Sequence, residues 1–471
     1  MPSSRTKLAL AAFLFAPPAL VTPAAAQTLQ EALSLAYANN PQLQTARAQL
    51  RAVDENVAQA LAGWRPTVQV TGAVGQTTTS TVGQQTLGPG FPNPPRTVTP
   101  WRSRDTASYQ ASASQPLYRG GRTVASTRRA ENQVLAQRAR LIAAEQQVLQ
   151  DTVNAYVSVI QQQEEVRLNI NNEQVLARQL QATNERFRVG EITRTDVAQA
   201  ESRLAGARAA RAVSEGQLAS ARATFTRVVG QPPERLVAPQ PLRAPVNTAR
   251  DAGTLAGQNN PNVVAALFDE AAARDLIDVN YSALLPQVSL NGSVFRNDNQ
   301  ALDGIRQNGT SVTANLTVPL YQGGSEYSLV RQARQSAQQA RQVVEDQRRG
   351  ATQLATQAFE TLQSARAQVD SVRAQIRAAE IALDGVQREA IVGSRTTLDV
   401  LNAEQELLNA RVSLVRALAN VITASHSLAS SVGRLTARDL NLPVQIYDME
   451  AYYREVRNRW VGFGDYAERG R

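Results

Sequence analysis

Few residues in this chain could make or break bonds. It has one histidine, His426, and no cysteine. Thiol nucleophiles, thiolate metal sites and disulfides are therefore excluded. A catalytic triad or histidine metal site needs more ligands than one imidazole provides. His426 lies in the helical stretch ITASHSLAS with no partner motif beside it, so it reads as structural. LYRGGR (117–122) and LYQGGS (320–325) are glycine-rich but lack the phosphate-loop pattern. They read as strand-to-helix corners built on Gly120, Gly121, Gly323 and Gly324. What remains is charge placement at two short segments. VGEITRTDVAQAESRLAGAR starts at Val189, and VGSRTTLDVLNAEQELLNAR starts at Val392. In each, a glycine (Gly190, Gly393) follows a long helical pattern and a Thr-x-x-Asp follows the glycine: Thr193 to Asp196, Thr396 to Asp399. A hydroxyl and a carboxylate at this spacing form a capping box, and the helix dipole favours the negative charge there. Arg395 and Asp399 are also one helical turn apart. This is the chemistry of holding a turn, so no catalytic, metal or cofactor residue is expected.

The two segments lie 203 residues apart, and the duplication extends beyond them. QPLYRGG (115–121) returns as VPLYQGG (318–324) at the same offset. Further upstream the offset is 220: Asn39-Asn40-Pro41 returns as Asn259-Asn260-Pro261, and RPTVQVTGAV from Arg65 as LPQVSLNGSV from Leu285. The difference of 17 falls between Gly72 and Pro116, where one loop carries an insertion. The expected organisation is a signal peptide (1–26), a first repeat (27–230), a Pro-rich connector (231–252), a second repeat (253–434) and a tail (435–471). The signal reading rests on Arg5 and Lys7, an apolar core and Ala24-Ala25-Ala26.

Each repeat reads alike. A helix (about 30–62, about 253–283) leads to a strand pair (about 66–117, about 286–320), a helix of about 69 residues, the Gly turn and a helix of about 35 residues. The long helix spans about 100 Å at 1.5 Å per residue. Val68, Val70 and Val74 share one phase of the first strand; Val312, Ala314, Leu316 and Val318 share one phase of the last. Such period-two runs of 9–11 residues suit membrane-spanning strands. Polar loops over 76–106 and 296–310 are expected to join them. Four strands cannot close a barrel alone, and lipid does not tolerate open edges, so closure demands several chains. Trp64, Tyr118 and Tyr321 flank the strands where an interfacial belt would sit. The formal charge of +9 comes from scattered arginines, with Lys7 the only lysine. That reads as a solvated helical surface on an exported protein, with no nucleic-acid partner.

The NNP helix start, the paired PLY-x-GG corners and the VG-x-R-T-x-x-D-V-L-x-A turn together resemble the TolC family of outer-membrane efflux and type I secretion channels. The resemblance covers the chain from about Leu29 to Leu435. It implies a mostly α protein with a membrane β-barrel part: a homotrimer whose chains each give four strands to a twelve-stranded barrel and long coiled-coil helices to a periplasmic tunnel. It implies an exit duct in the outer membrane, extending into the periplasm and working with an inner-membrane pump and a periplasmic adaptor, without a cofactor. The two turns would then be the tunnel's tips, and Val189, Gly190, Val392 and Gly393 would meet the adaptor. Matched to the family's gate, Arg395 would bond Thr195 and Asp196 across tips, and Asp399 would line the narrowest ring. Asn402 stands where a second ring aspartate is expected, and Ala390 where a gate tyrosine is. The alternative is a periplasmic helical adaptor without a barrel, which would lack the four amphipathic strands.

Overall fold

A computed structural model describes residues 27–83, 97–300 and 304–464. The expected signal peptide, the middle of the first hairpin loop and the end of the tail lie outside the described residues. The chain forms two compact units. One comprises the residues up to Ala36, Thr152–Gln240 and Val372–Ala419; the other comprises Tyr37–Asp151, Pro241–Ser371 and the chain from Asn420.

The leading helix of each repeat is broken where one continuous helix was expected. Helix α1 (Leu29–Asn39) stops at Asn40, whose side chain accepts from Gln42 N at 2.9 Å and starts α2 (Pro41–Leu61). Asn260 repeats the device at 3.0 Å between α5 (Ala249–Asn259) and α6 (Pro261–Tyr281). A residue before proline is pushed out of the helical region, so Asn-Pro ends one helix and caps the next. Thr248 caps α5, which therefore starts four residues before the expected boundary at 253.

Four strands form one antiparallel sheet in chain order: β1 (Thr67–Gly83), β2 (Thr97–Arg119), β3 (Gln287–Asp298) and β4 (Arg306–Thr317). Much of the stretch read as a loop over 76–106 is strand, because threonines from Thr77 to Thr81 favour a pleated backbone. Pro100 and Pro116 sit at the two register shifts, where a missing N–H breaks no ladder bond. Likewise β3 runs to Asp298 and β4 starts at Arg306, leaving a shorter loop than 296–310, while Val318 falls just past β4.

The register aligns Val68 with Ala113, Val70 with Ala111, Ala111 with Val294, and Gly292 with Val312. One face is thus apolar across the sheet, and it is bare: Val68 is 75% exposed and Val312 76%. The other face carries Gln69, Thr71, Gln110, Ser112, Ser293 and Ser311, with the Ser293 and Ser311 hydroxyls 2.8 Å apart. Among the described residues, neither β1 nor β4 has a partner on its outer edge. The sheet ends in the glycine corners. A Cβ on Gly120 would lie 2.5 Å from the Ser282 carbonyl, so only glycine lets this corner approach the short turn at Ser282–Leu284.

The corners lead into α3 (Arg122–Arg188) and α7 (Ser325–Ile391), each of 67 residues. Helices α4 (Arg194–Val229, 36 residues) and α8 (Thr397–Ser431, 35 residues) follow the tip turns. In the unit that carries the tips, Ala32, Tyr156, Val159, Phe225 and Val229 form one core cluster. The Tyr156 hydroxyl donates to the Val237 carbonyl at 2.7 Å, which ties the connector to that core. In the strand-bearing unit, Val57, Ala130 and Val134 pack with Tyr453 of the tail, just after the start of the short helix α9 (Ala451–Val456). His426 is buried there, with Nδ1 2.8 Å from the Ile422 carbonyl, and burial holds its pKa below the ordinary value.

Candidate functional site: the two tip turns

Each tip is a helix end, a left-handed glycine and a capped helix start. Gly190 has φ +79° and Gly393 φ +81°, a region costly for a residue with a Cβ. The chain reverses through Glu191 N to the Arg186 carbonyl (2.9 Å) in the first tip and Ser394 N to the Glu389 carbonyl (3.0 Å) in the second. These bonds satisfy carbonyls that a helix end would leave orphaned.

Both capping boxes form. Thr193 N and Oγ1 donate to Asp196 Oδ2 at 2.9 and 2.7 Å, and Asp196 N donates back to Thr193 Oγ1 at 3.3 Å. Thr396 and Asp399 repeat this at 3.0, 2.8 and 3.2 Å. The Thr193 hydroxyl and N–H hold the Asp196 carboxyl below its usual value, and the Thr396 N–H and hydroxyl do the same for Asp399. Both are carboxylates at neutral pH and both face their caps.

The structure places Arg395 differently from the expected cross-tip contact. Its Nε donates to Glu389 Oε2 at 2.8 Å, on its own turn. No hydrogen bond joins Arg395 to Thr195 or Asp196, and Asp196 is held by Thr193 instead. The reason is distance along the chain: Glu389, six residues back across the glycine, lies on the same reversal. Asn402 is also engaged within the chain, its Oδ1 accepting from Arg203 Nη2 on α4 at 2.8 Å. Val189 and Val392 are both 78% exposed, and Ile391 beside Val392 widens the apolar surface of the second turn alone.

Three ion pairs illustrate what the sequence reading misses. Arg186 donates to Glu191 at 2.9 Å, Arg395 to Glu389, and Arg416 to the buried Glu165 at 2.9 and 3.2 Å. Burial disfavours the Glu165 charge, but the bonds from Arg416 and Gln161 prevail and hold its pKa below the ordinary value. The first two pairs cross a glycine at spacings of five and six, which helical periodicity does not flag. The third joins residues 251 apart.

The family described as outer membrane efflux protein matches residues 32–231 and 253–434 of this chain. The chain belongs to that family. Its two matched blocks coincide with the two copies of helix, strand pair, long helix and tip. Among family relatives, the outer membrane efflux protein BepC of Brucella suis biovar 1 (strain 1330) is 35% identical over 93% of this chain and 92% of its own length. The outer membrane protein TolC of Vibrio cholerae serotype O1 is 27% identical over 88% and 92%. The Campylobacter jejuni CmeC outer membrane channel superposes with a TM-score of 0.75 at 16% identity, over 91% of this chain and 89% of that one, which shows a shared fold. The family is one of efflux proteins and places the protein in the outer membrane. Nothing supports the alternative of an adaptor without a barrel.

Proposed function

We propose that this protein is the exit duct of a tripartite efflux or type I secretion system, passing solutes or proteins from an inner-membrane pump and periplasmic adaptor to the exterior. One observation carries the reading: a four-stranded sheet with a bare apolar face and two unpaired edges. Such a sheet is untenable in water as an apolar surface and untenable in lipid as an open edge. Closure with two further copies removes both edges and leaves the apolar face to lipid and the polar face to a lumen. The protein purified in detergent should be a trimer and should give stepwise single-channel conductance in planar bilayers. A detergent-independent monomer without conductance would refute the duct.

Within this reading, the tips form the gate. Asp399, repeated by the threefold axis, gives a ring of carboxylates that favours cations, and the exposed Val189, Gly190, Val392 and Gly393 offer the adaptor a contact. Arg395 has two sets of acceptors: Glu389, which it now holds, and Thr195 with Asp196 on the other tip. Exposed ion pairs are weak and exchange readily, so the latch is one that adaptor contact can release.

A further inference from the structure

The end of the tail carries a group of large apolar side chains that its own chain leaves in the open. Trp460 is 66% exposed, Val461 86%, and Phe463 is bare. The segment is nevertheless anchored. Arg65 Nη1 donates to the Arg459 carbonyl at 2.6 Å, and the Arg65 guanidinium lies 5.0 Å from the centre of the Trp460 ring. Arg459 Nη1 in turn donates to the Gly464 carbonyl at 2.8 Å, folding the segment back on itself. Between this segment and α2 lies a cavity of about 970 Å³ bordered by Ala48, Ala52 and Ala58, so α2 does not cover these side chains.

The anchoring point decides the partner. Arg65 stands two residues before β1, and Gln115 Nε2 of β2 donates to the Trp64 carbonyl at 2.8 Å. The bare apolar face of the sheet starts at Val68. The half-exposed Trp64 and Tyr118 mark the same end of the strands. The tail's aromatics are therefore held next to the place where the membrane-spanning sheet begins, on the helix side. Tryptophan and other amphipathic aromatics favour the headgroup region of a bilayer, where the ring is out of water and its N–H stays hydrated.

We propose that Trp460, Val461 and Phe463 form an interfacial anchor that inserts into the periplasmic leaflet of the outer membrane, continuous with the lipid face of the sheet. It fixes the height of each protomer in the bilayer. The occupant is the lipid headgroup and upper acyl region, because the surface adjoins the lipid-facing strands and no protein segment among the described residues covers it.

The absence of native cysteine allows a clean test. Val461→Cys, Phe463→Cys and, as a tip control, Val392→Cys are labelled with an environment-sensitive fluorophore in the full-length trimer. The probes are read in phosphatidylethanolamine–phosphatidylglycerol vesicles doped with headgroup or deep-chain nitroxide lipids. Labels at 461 and 463 should be blue-shifted relative to 392, lose most of their emission to the headgroup nitroxide and less to the deep one, while 392 is unaffected. Emission at 461 and 463 as red as at 392 overturns the anchor. A blue shift without nitroxide quenching also overturns it, because a second copy of the chain or another protein then covers the site. If labelling disturbs the trimer, unlabelled wild type and Trp460→Tyr in brominated-lipid vesicles replace it. The anchor requires that a lipid-quenched tryptophan component vanish in Trp460→Tyr, and an unchanged quenching profile refutes it.

Discussion

In the first tip, Arg186 on the helix reaches forward to Glu191 on the turn; in the second, Glu389 stands at the place of Arg186 and accepts from Arg395 on the turn. The backbone is the same in both: a left-handed glycine, a reversal bond to the residue three before the valine, and a Thr-x-x-Asp box. The side chains that face solvent are reversed in sign. Duplication has kept whatever the turn's geometry requires and let the charge on its surface diverge. Gly is kept because the turn needs a positive φ, and Thr and Asp because their side chains satisfy backbone groups that have no other partner. An exposed cation or anion has water as an alternative partner and is free to change.

The same contrast holds elsewhere between the copies, and it can be broken at the sheet first. Both hairpins present an apolar face, although the first has strands of 17 and 23 residues and the second of 12 and 12. If the inner parts of the two hairpins are equivalent in lipid, Val70→Arg and Val312→Arg should damage trimer assembly alike. A charge at the midplane of a barrel's lipid face costs about 2–4 kcal/mol per site, and each trimer carries it three times. Heat-resistant trimer in outer-membrane fractions should fall sharply for both. Normal yields for one alone would show that its hairpin does not face lipid.

The copies also differ where α2 and α6 correspond. Asp54 is buried with no hydrogen-bond partner on either oxygen among the described residues, whereas Arg274 at the matching place is exposed and paired with Glu270. Burial pushes the Asp54 carboxyl up to about 6, with nearby Glu55 adding to the rise and Arg138 opposing it. A raised acid pKa means that the folded state binds the proton more tightly. Stability from this group is present below pH 4 and is lost as the pH rises through about 6. Asp54→Asn should therefore flatten the fall in melting temperature between pH 4 and 7. It should add up to about 3 kcal/mol per chain at pH 7, from roughly two pKa units at 1.36 kcal/mol each. An unchanged pH slope in Asp54→Asn would mean the carboxylate is solvated in the assembled trimer.

These contrasts also show which parts of the molecule could be read before folding. The 203-residue offset, the glycines and the Thr-x-x-Asp boxes are local patterns, and the corners, the tips and both 67-residue helices follow from them. The Asn-Pro breaks are visible as residues but read as a helix start rather than an interruption, because the helical period continues on both sides. The β1 and β2 ends were hidden because threonines and prolines look like loop composition until a pairing strand supplies the register. Arg203 with Asn402, Arg416 with Glu165, and the orphaned Asp54 depend on helix packing at long sequence separation, to which local spacing is blind.

A smaller effect tests whether the tips are equal as caps. Thr193→Ala and Thr396→Ala each remove an N-cap hydroxyl, a loss of about 1 kcal/mol in helix stability. Amide exchange at Asp196 and Asp399 should speed up to a similar extent in the two variants, since the two boxes differ by at most 0.1 Å in any bond. Faster exchange in only one would break the backbone equivalence on which the comparison rests.

The reversed ion pairs should scarcely affect stability, and their difference is expected in conductance. Arg186 and Arg395 each pair with a carboxylate on the same turn, and water screens both pairs. Neither Arg186→Ser nor Arg395→Ser should shift the melting temperature measurably. Only Arg395, however, sits on the turn itself, and the proposed gate has its planar fork, once released from Glu389, bond Thr195 and Asp196 on the other tip. Arg395→Ser should then raise single-channel conductance, whereas Arg186→Ser leaves it unchanged. Glu389→Gln, which frees Arg395 for the cross-tip contact, should lower it. Both changes should shrink in high salt, as exposed charge pairs do. Asp399→Ala should weaken cation selectivity without following the Arg395 pattern, because its carboxylate acts on ions in the ring rather than on the latch. If Arg395→Ser and Glu389→Gln change conductance in the same direction, Arg395 has no second set of acceptors. The two tips then differ in surface charge without differing in function.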